Sequence, residues 1–166
     1  MRAVVQRVSE AAVWIGGEEH SRIGPGLLVL VGVEEGDTGA DAEQLASKVV
    51  QLRVFDDVEG RMNLSLLDTG GSLMAVSQFT LLGDTRKGRR PSFVRAEAPD
   101  QARGLYDRFV EYARVAGVVV ETGVFQASME VVSTNRGPVT LLIDTRGEPV
   151  RPTGPGHGTH ATGNPG

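Results

Sequence analysis

The chain has 166 residues, of which 40% are hydrophobic and 23% charged, and its formal net charge is −4 at pH 7. A chain of this length is sufficient for one domain with a substantial core. Because it contains no cysteine, disulfides, thiolate metal sites and a cysteine nucleophile are excluded. The first residues lack the apolar run of a signal peptide, and no apolar stretch is long enough to span a bilayer, so we expect a cytoplasmic protein.

Histidine is scarce in the part of the chain whose composition is typical of a folded domain. Of the three histidines, His157 and His160 lie near the carboxyl terminus, and only His20 lies elsewhere, in the polar stretch GGEEH. Polar stretches of this kind form exposed turns, so we expect His20 to be a surface residue. A histidine-based catalytic triad or metal site would have to include it. Any enzyme chemistry here is therefore expected to proceed without the usual imidazole base.

In chain order, the hydrophobic pattern first predicts strands. These cover Arg2–Ser9, Ala11–Ile15 and Leu27–Val33. A helix follows, with apolar residues at helical spacing: Ala42, Leu45, Ala46, Val49 and Leu52. Three further extended segments come next: Val54-Phe55, a possible edge hairpin at Asn63–Leu66, and Leu73–Gln78.

Residues 79–99 form a long connection that contains two glycines and two prolines. Connections of this length inside a domain are usually functional or disordered. A second helix begins near Pro99 and has its own apolar face: Ala102, Leu105, Phe109, Tyr112, Ala113 and Ala116. The remaining predicted elements are the strands Val118–Glu121 and Met129–Val132, a turn at Asn135–Pro138, and the strand Val139–Asp144.

About seven strands and two main helices, with strands often adjacent in sequence, predict an α+β fold. Its sheet should be mainly antiparallel or mixed, because the regular alternation of strand and helix is missing. We expect a single domain over residues 1–145. Residues 146–166 are rich in glycine and proline. Such a segment buries too little apolar surface to offset its ordering entropy, which predicts a disordered tail.

The sequence SQFTL, at Ser77–Leu81, ends a predicted strand and opens the long connection. A strand end is rigid and offers free backbone N–H groups, which suits an oxyanion site. Ser77 and Thr80 supply hydroxyls, and Gln78 supplies an amide. No strong base lies near Thr80 in the sequence, and a hydroxyl nucleophile needs one. An ordinary polar strand end remains the alternative.

Four cations follow closely within DTRKGRRPSF: Arg86, Lys87, Arg89 and Arg90. One basic cluster in an acidic domain suggests a local phosphate contact rather than a broad nucleic-acid surface. A solvated loop paired with the acids of the domain is the alternative. A third segment, NRGPVT at Asn135–Thr140, contains a Gly-Pro pair between two predicted strands, where a plain tight turn is expected. Cis bonds occur at only about 5–6% of prolines.

These three segments, in this order, resemble the D-aminoacyl-tRNA deacylase family. The similarity extends over about residues 1–145 and includes MRAVVQRVSEAAV, IGPGLLVLVGVEEGDT, MNLSLLD and GPVTLLID. One departure is Arg136, where many members carry an acidic or small residue, so the local charge differs. The resemblance implies a homodimer that hydrolyses the ester between a D-amino acid and the 3′ end of tRNA, and the ester of glycine mischarged on alanine tRNA. It implies no metal and no organic cofactor.

The resemblance also assigns the site. It places Ser77, Gln78, Phe79 and Thr80 in the catalytic pocket. A cis Gly137-Pro138 pair enters that pocket from the partner subunit, with Asn135 and Thr140 beside it. The reaction is expected to be substrate-assisted, with the ribose 2′-hydroxyl orienting or activating the attacking water. The alternative mechanism has Thr80 as the nucleophile. L-amino acids would be excluded by collision with the Gly-Pro pair. Arg86, Lys87, Arg89 and Arg90 would bind tRNA phosphates.

Two other functions fit parts of the sequence. A non-catalytic RNA-binding dimer would use the same fold and basic cluster, but would not need the SQFT and GPVT segments. A hydrolase of small esters or amides would use those segments, but would have no use for four clustered cations.

Overall fold

The computed structural model describes residues 1–86 and 88–147 of the chain. Lys87, and the predicted tail from residue 148 onwards, lie outside the described residues. The strands are β1 (Arg2–Ile15), β2 (Glu18–Ile23), β3 (Gly26–Gly32), β4 (Phe55–Asp56), β5 (Met62–Leu64), β6 (Ser72–Ser77), β7 (Val119–Thr122) and β8 (Glu130–Asp144). The helices are α1 (Gly39–Val50), α2 (Leu66–Thr69) and α3 (Pro99–Val115), and a 3-10 turn covers Phe79–Leu82.

One mixed sheet contains six of the strands, in the order β2-β1-β3-β6-β7, with β8 on the other side of β1. The pairs that involve β1 are antiparallel, whereas β3–β6 and β6–β7 are parallel. The strands β4 and β5 form a separate small hairpin. This arrangement confirms the α+β fold with a mixed sheet.

The first two predicted strands form a single strand, β1, of 14 residues. Its first half pairs with β3 through Val8↔Gly26, and its second half pairs with β2 from Ala11↔Ile23 onwards. Ser9 and Glu10 are polar residues between two apolar runs, which made one long strand look like two. The strand is continuous because β8 pairs with both halves.

The last two predicted strands also belong to one strand, β8, and the predicted turn at Asn135–Pro138 lies inside it. Asn135 is opposite Val8 and Thr140 is opposite Gln6, so four residues of β8 face Arg7 alone. The segment is thus a large bulge rather than a turn between two strands, because β8 resumes its pairing with β1 on both sides. We call Arg136–Val139 the Gly-Pro loop.

Three elements were not predicted from the sequence: β2, α2 and the 3-10 turn at the start of the long connection. The strand β2 is polar, with the sequence EEHSRI, and its residues are mostly exposed, so it lacks a hydrophobic pattern. His20 lies in this strand rather than in a turn, and it is exposed as expected. The four-residue helix α2 is too short for periodicity to reveal, but Ser65 and Asp68 form a capping box at its start.

The main core lies between the sheet and the helices α1 and α3. It includes alternate residues of the central strands, such as Leu27, Leu73 and Ala75, and the fully buried Phe109 of α3. Intervening residues such as Leu28 and Met74 belong to a second cluster on the other face, with Val8 and Val13 of β1. Because both faces are covered, β3 and β6 read as continuous aliphatic runs.

Both ends of the described domain meet beside the start of α1. The amino group of Met1 and the carboxylate of Asp37 are 2.8 Å apart and completely buried. Arg146, which the sequence placed in the tail, lies 3.0 Å from the same carboxylate. Among the residues described, no helix has the length and apolarity needed to cross a membrane.

Candidate active site

The SQFT segment, Ser77–Thr80, joins the end of β6 to the 3-10 turn. Ser77 is opposite Val31 of β3, and the Gln78 N–H donates to the Val31 carbonyl oxygen at 2.7 Å. Within the turn, the N–H groups of Leu81 and Gly83 donate to Gln78 and Thr80. The first N–H groups of a helical turn have no acceptor within it. No acceptor elsewhere among the described residues binds those of Phe79 and Thr80, so they are available to a ligand.

The turn packs closely on β3 at Gly32. A Cβ at this position would lie 2.5 Å from the Leu82 side chain and 3.1 Å from the Gln78 carbonyl oxygen. The Arg2 guanidinium also donates to the Leu81 carbonyl oxygen at 3.1 Å. These contacts hold the turn from β3 and β1, so the free N–H groups are rigidly placed.

The hydroxyl of Thr80 is hydrogen-bonded to the side-chain amide of Gln78. An amide is not a base in either orientation, so this contact orients the hydroxyl without activating it. Both Thr80 and Phe79 are exposed, whereas Ser77 and Gln78 are half-buried. The sequence predicts that no base lies near Thr80. The side-chain contact that the structure records for Thr80 is to an amide and not to a base.

A cavity of about 690 Å³ opens beside the SQFT segment. Ser77, Gln78 and Phe79 line one side, and residues 125–129 line another, including Phe125 and Met129. Its volume lies within the range of small-molecule sites, and aromatic and apolar groups predominate as in such sites. A second cavity of about 620 Å³, between α3 and β7, contains His20 but none of the predicted site residues.

The Gly-Pro loop is held by Arg7, a buried arginine of β1. Its Nε donates to the Arg136 carbonyl oxygen at 2.9 Å. Its Nη1 donates to the Val54 carbonyl oxygen at 2.7 Å and to the Asp56 carboxylate at 3.1 Å. The guanidinium thus joins the loop to the β4–β5 hairpin. The peptide bond between Gly137 and Pro138 is cis.

Asn135 and Thr140 close the base of the Gly-Pro loop. The Asn135 side-chain oxygen accepts from the Val139 N–H at 2.8 Å, and its nitrogen donates to the Thr140 hydroxyl at 2.9 Å. Gln6 also donates to that hydroxyl, at 3.2 Å. The polar groups of Asn135 and Thr140 therefore hold the shape of the loop. We expect these two residues to act on the substrate indirectly, through the loop, rather than by direct contact.

The SQFT segment and the Gly-Pro loop are far apart within one chain. Three strand spacings separate β8 from β6, which corresponds to about 14 Å across the sheet. Ser77 is level with Ala3 of β1, whereas the loop is level with Arg7, so they also differ by about 13 Å along the strands. One chain does not bring the two segments into a single pocket.

The basic cluster lies on a loop whose two ends are joined by backbone hydrogen bonds. The backbone groups of Asp84 and Ser92 form two hydrogen bonds, at 2.7 and 2.9 Å, and residues 84–92 are called the basic loop below. Arg86 binds the Asp84 carboxylate, and this hydrogen bond holds the pKa of Asp84 far below its usual value. Arg89 and Arg90 are exposed. Lys87 is outside the described residues.

Comparison with known proteins gives the family. The family model described as D-Tyr-tRNA(Tyr) deacylase matches residues 4–144. The chain belongs to this family. A D-aminoacyl-tRNA deacylase of Bacillus velezensis is 56% identical over 146 residues, which cover 88% of this chain and 99% of the relative. One of Symbiobacterium thermophilum is 59% identical over 145 residues, covering 87% and 96%.

Two solved structures have a fold similar to that of this chain. The c-Myc DNA unwinding element binding protein has 40% sequence identity and a TM-score of 0.82, over 87% of this chain and 98% of its own. A probable eukaryotic D-amino acid tRNA deacylase has a TM-score of 0.73, over 86% of this chain and 97% of its own. Its identity is 21%, so it supports the fold alone.

Three residues at the candidate site were not identified from the sequence: Arg7, Phe125 and Met129. Arg7 is the clearest, because Ala3 and Val5 are buried and Arg7 continues their alternation on the inward side of β1. A charged residue at such a position is a detectable signal. Phe125 and Met129 gave no such signal in the sequence, because the loop that places them beside the SQFT segment has no periodic hydrophobic pattern.

Proposed function

We propose that the protein hydrolyses the ester that joins a D-amino acid, or glycine mischarged on alanine tRNA, to the 3′ end of tRNA. Membership of the deacylase family makes it a hydrolase of aminoacyl-tRNA esters. The observation that carries the proposal is the SQFT segment, in which Ser77, Gln78 and Phe79 line a mostly apolar cavity and the N–H groups of Phe79 and Thr80 begin the adjoining turn. The cavity has the volume and the aromatic walls that suit a terminal nucleoside.

The reaction needs little from the protein beyond placement and charge stabilisation. An aminoacyl ester is already activated by its α-ammonium group and its ribose leaving group. Water attacks the ester carbonyl carbon, and the N–H groups of Phe79 and Thr80 stabilise the developing oxyanion. The ribose 2′-hydroxyl of the substrate orients the water and takes part in proton transfer. The C–O bond to the ribose 3′-oxygen then breaks, and that oxygen receives the proton that the attacking water has lost.

The two halves of the site come from two chains. This inference is supported by the separation of the SQFT segment and the Gly-Pro loop within one chain. It is also supported by β8, which among the described strands pairs with β1 alone and exposes apolar residues such as Val132 and Leu142, at 58% and 63% of their surface. An exposed apolar strand edge is a surface that proteins normally cover. A homodimer covers it and delivers the loop to the partner's cavity.

Chiral selection then follows from exclusion. Backbone carbonyl groups of the Gly-Pro loop bind the α-ammonium of the substrate, which fixes the directions of the other Cα substituents. A D side chain points to solvent, whereas an L side chain collides with the loop. Glycine has no side chain and is accepted. This selection needs no side-chain pocket, so different D-amino acids are accepted.

The central experiment follows ester loss from three substrates with the purified full chain: D-Tyr-tRNA, L-Tyr-tRNA and glycyl-tRNA. We expect the D-tyrosyl and glycyl esters to be hydrolysed well above the spontaneous rate, and the L-tyrosyl ester not. Equal and negligible rates for all three, with tRNA still bound, would identify the chain as a non-catalytic RNA-binding protein. Hydrolysis of small esters alone would contradict the role of tRNA.

Thr80→Ala should retain activity within about tenfold of the unsubstituted protein. Its hydroxyl is bound by an amide and has no base, so it cannot serve as an activated nucleophile. Loss of a true nucleophile reduces kcat by about 10⁴–10⁶. Single-turnover deacylation of D-Tyr-tRNA measures the difference, with Thr80→Ser as the control. A trapped acyl-enzyme on Thr80 would overturn the substrate-assisted mechanism.

Gly137→Ala should reduce D-Tyr-tRNA deacylation by at least about 100-fold, because small displacements of positioning groups have effects of this size. Gly137 has a φ of +132°, and an added Cβ would lie 2.8 Å from the Val139 side chain and 2.9 Å from the Arg7 guanidinium. The loop therefore cannot keep its shape. Gly104→Ala, on the exposed side of α3 with nothing within 4 Å, is the matched control.

Mixing the Gly137→Ala chain with a chain inactivated by Phe79→Ala tests the shared site. Each mixed dimer then has one pocket with both defects and one with neither. Recovery of up to half of the activity per mixed dimer supports the proposal. If mixed dimers are confirmed by mass and activity does not return, the two segments do not act across an interface.

The basic loop is proposed to bind phosphates near the tRNA end through Arg89 and Arg90. Arg86 is already bound to Asp84, and its contribution should be smaller. Arg89→Ala and Arg90→Ala should each lower the slope of log affinity against log salt concentration by about one. Arg103→Ala, which removes the same charge from α3, should leave the slope unchanged. Equal slopes for all three variants would show that the loop makes no RNA contact.

A further inference from the structure

Two aromatic rings meet where the basic loop returns to the domain. The ring of Phe93 lies edge-on against that of Phe79, with centroids 5.1 Å apart and planes at 66°. Edge-to-face pairs of this kind contribute more than their buried area alone. Phe79 belongs to the SQFT segment, whereas Phe93 follows Ser92, the last residue of the basic loop.

The position of Phe93 is fixed on both sides. Ser92 is paired with Asp84 through two backbone hydrogen bonds, and the Phe93 carbonyl oxygen accepts from the Ala96 N–H at 3.0 Å. Two residues further, Arg95 pairs with the nearly buried Glu34. A Cβ at Gly83 would lie 3.0 Å from the Phe93 ring, so the absence of a side chain there allows the ring its close approach.

Phe79 lines the cavity, but Phe93 does not. Its contact with Phe79 is therefore a route by which Phe93 can influence a nucleoside bound in the cavity. Phe79 is also 57% exposed, so little else around its ring restrains it. A change at the base of the basic loop would reach the SQFT segment through this ring contact.

We propose that Phe93 is a positioning residue, which holds Phe79 and the adjoining N–H groups in the geometry required for ester hydrolysis and joins them mechanically to the basic loop. The proposal rests on the proposed function. It adds a residue outside the cavity whose effect is on the chemical step. The basic loop and the adjoining Phe93 then have two roles: the loop carries the arginines, and Phe93 supports the SQFT segment.

Phe93→Leu, which keeps an apolar side chain but removes the ring, should lower kcat for D-Tyr-tRNA roughly 3- to 10-fold, the range expected for one aromatic pair. The KM for tRNA should change less than twofold. Phe93→Tyr retains the ring edge and should restore kcat. Val94→Ala changes the next residue of the same segment, which is 79% exposed, and should have no effect on either constant.

A double-mutant cycle between Phe79→Leu and Phe93→Leu gives a second measurement. If the rings act as a pair, the double variant will lose clearly less kcat than the product of the two single losses. Thermal unfolding of each variant shows whether it folds. Should Phe93→Leu unfold, Phe93→Met, which fills a similar volume, replaces it in both arms.

The outcomes separate this proposal from the proposed function. Absence of D-Tyr-tRNA hydrolysis in the unsubstituted protein would contradict the proposed function itself. An active protein in which Phe93→Leu matches Val94→Ala would refute only the role of Phe93. A rise in KM with unchanged kcat would refute it too, because the ring would then contact RNA directly. The role of Phe93 would also be refuted if the loss of kcat in the double variant equalled the product of the two single losses.

Discussion

The pairing of β1 with β8 governs where every candidate segment lies. β8 pairs along the length of β1 with two neighbouring irregularities: the register shifts between Val8 and Glu10, and at the larger irregularity four residues of β8 bulge opposite Arg7. The buried guanidinium occupies this place and binds the loop on one side and the hairpin on the other. An unpaired buried charge is strongly unfavourable, so the loop, the hairpin and Arg7 stabilise one another as a unit. The same pairing leaves β8 at an exposed edge, with apolar residues available to a second chain.

Much of the fold follows from local sequence patterns. The helical spacing of Ala42, Leu45 and Val49 and the aliphatic runs of β3 and β6 predict buried elements, because burial selects apolar residues at fixed periods. The bulge in β8 has no such pattern. Whether a Gly-Pro pair forms a turn or a bulge depends on what the chain meets afterwards, and this is set by β1, more than 120 residues away. The polar strand β2 was missed for a similar reason, since its pairing with β1 uses backbone groups that every sequence has.

Part of the candidate site could be predicted from the sequence. A strand that ends in hydroxyl and amide residues before a long connection indicated the SQFT segment and its free N–H groups, and the structure adds the cavity beside it. The sequence could not show that Arg86, rather than Arg89 or Arg90, is bound to the Asp84 carboxylate, because four neighbouring cations look alike in one dimension. Nor could it place Phe93 against Phe79, since this contact depends on how the basic loop closes.

The distance between the SQFT segment and the Gly-Pro loop has a consequence for how the protein behaves on dilution. If each working pocket takes one segment from each of two chains, a single chain has no complete pocket, and the number of sites follows the concentration of dimers rather than of chains. Below the dissociation constant of the dimer, activity then varies with the square of the protein concentration. Substrate that contacts both chains favours the paired state, so tRNA itself would extend the concentration range over which the protein is active.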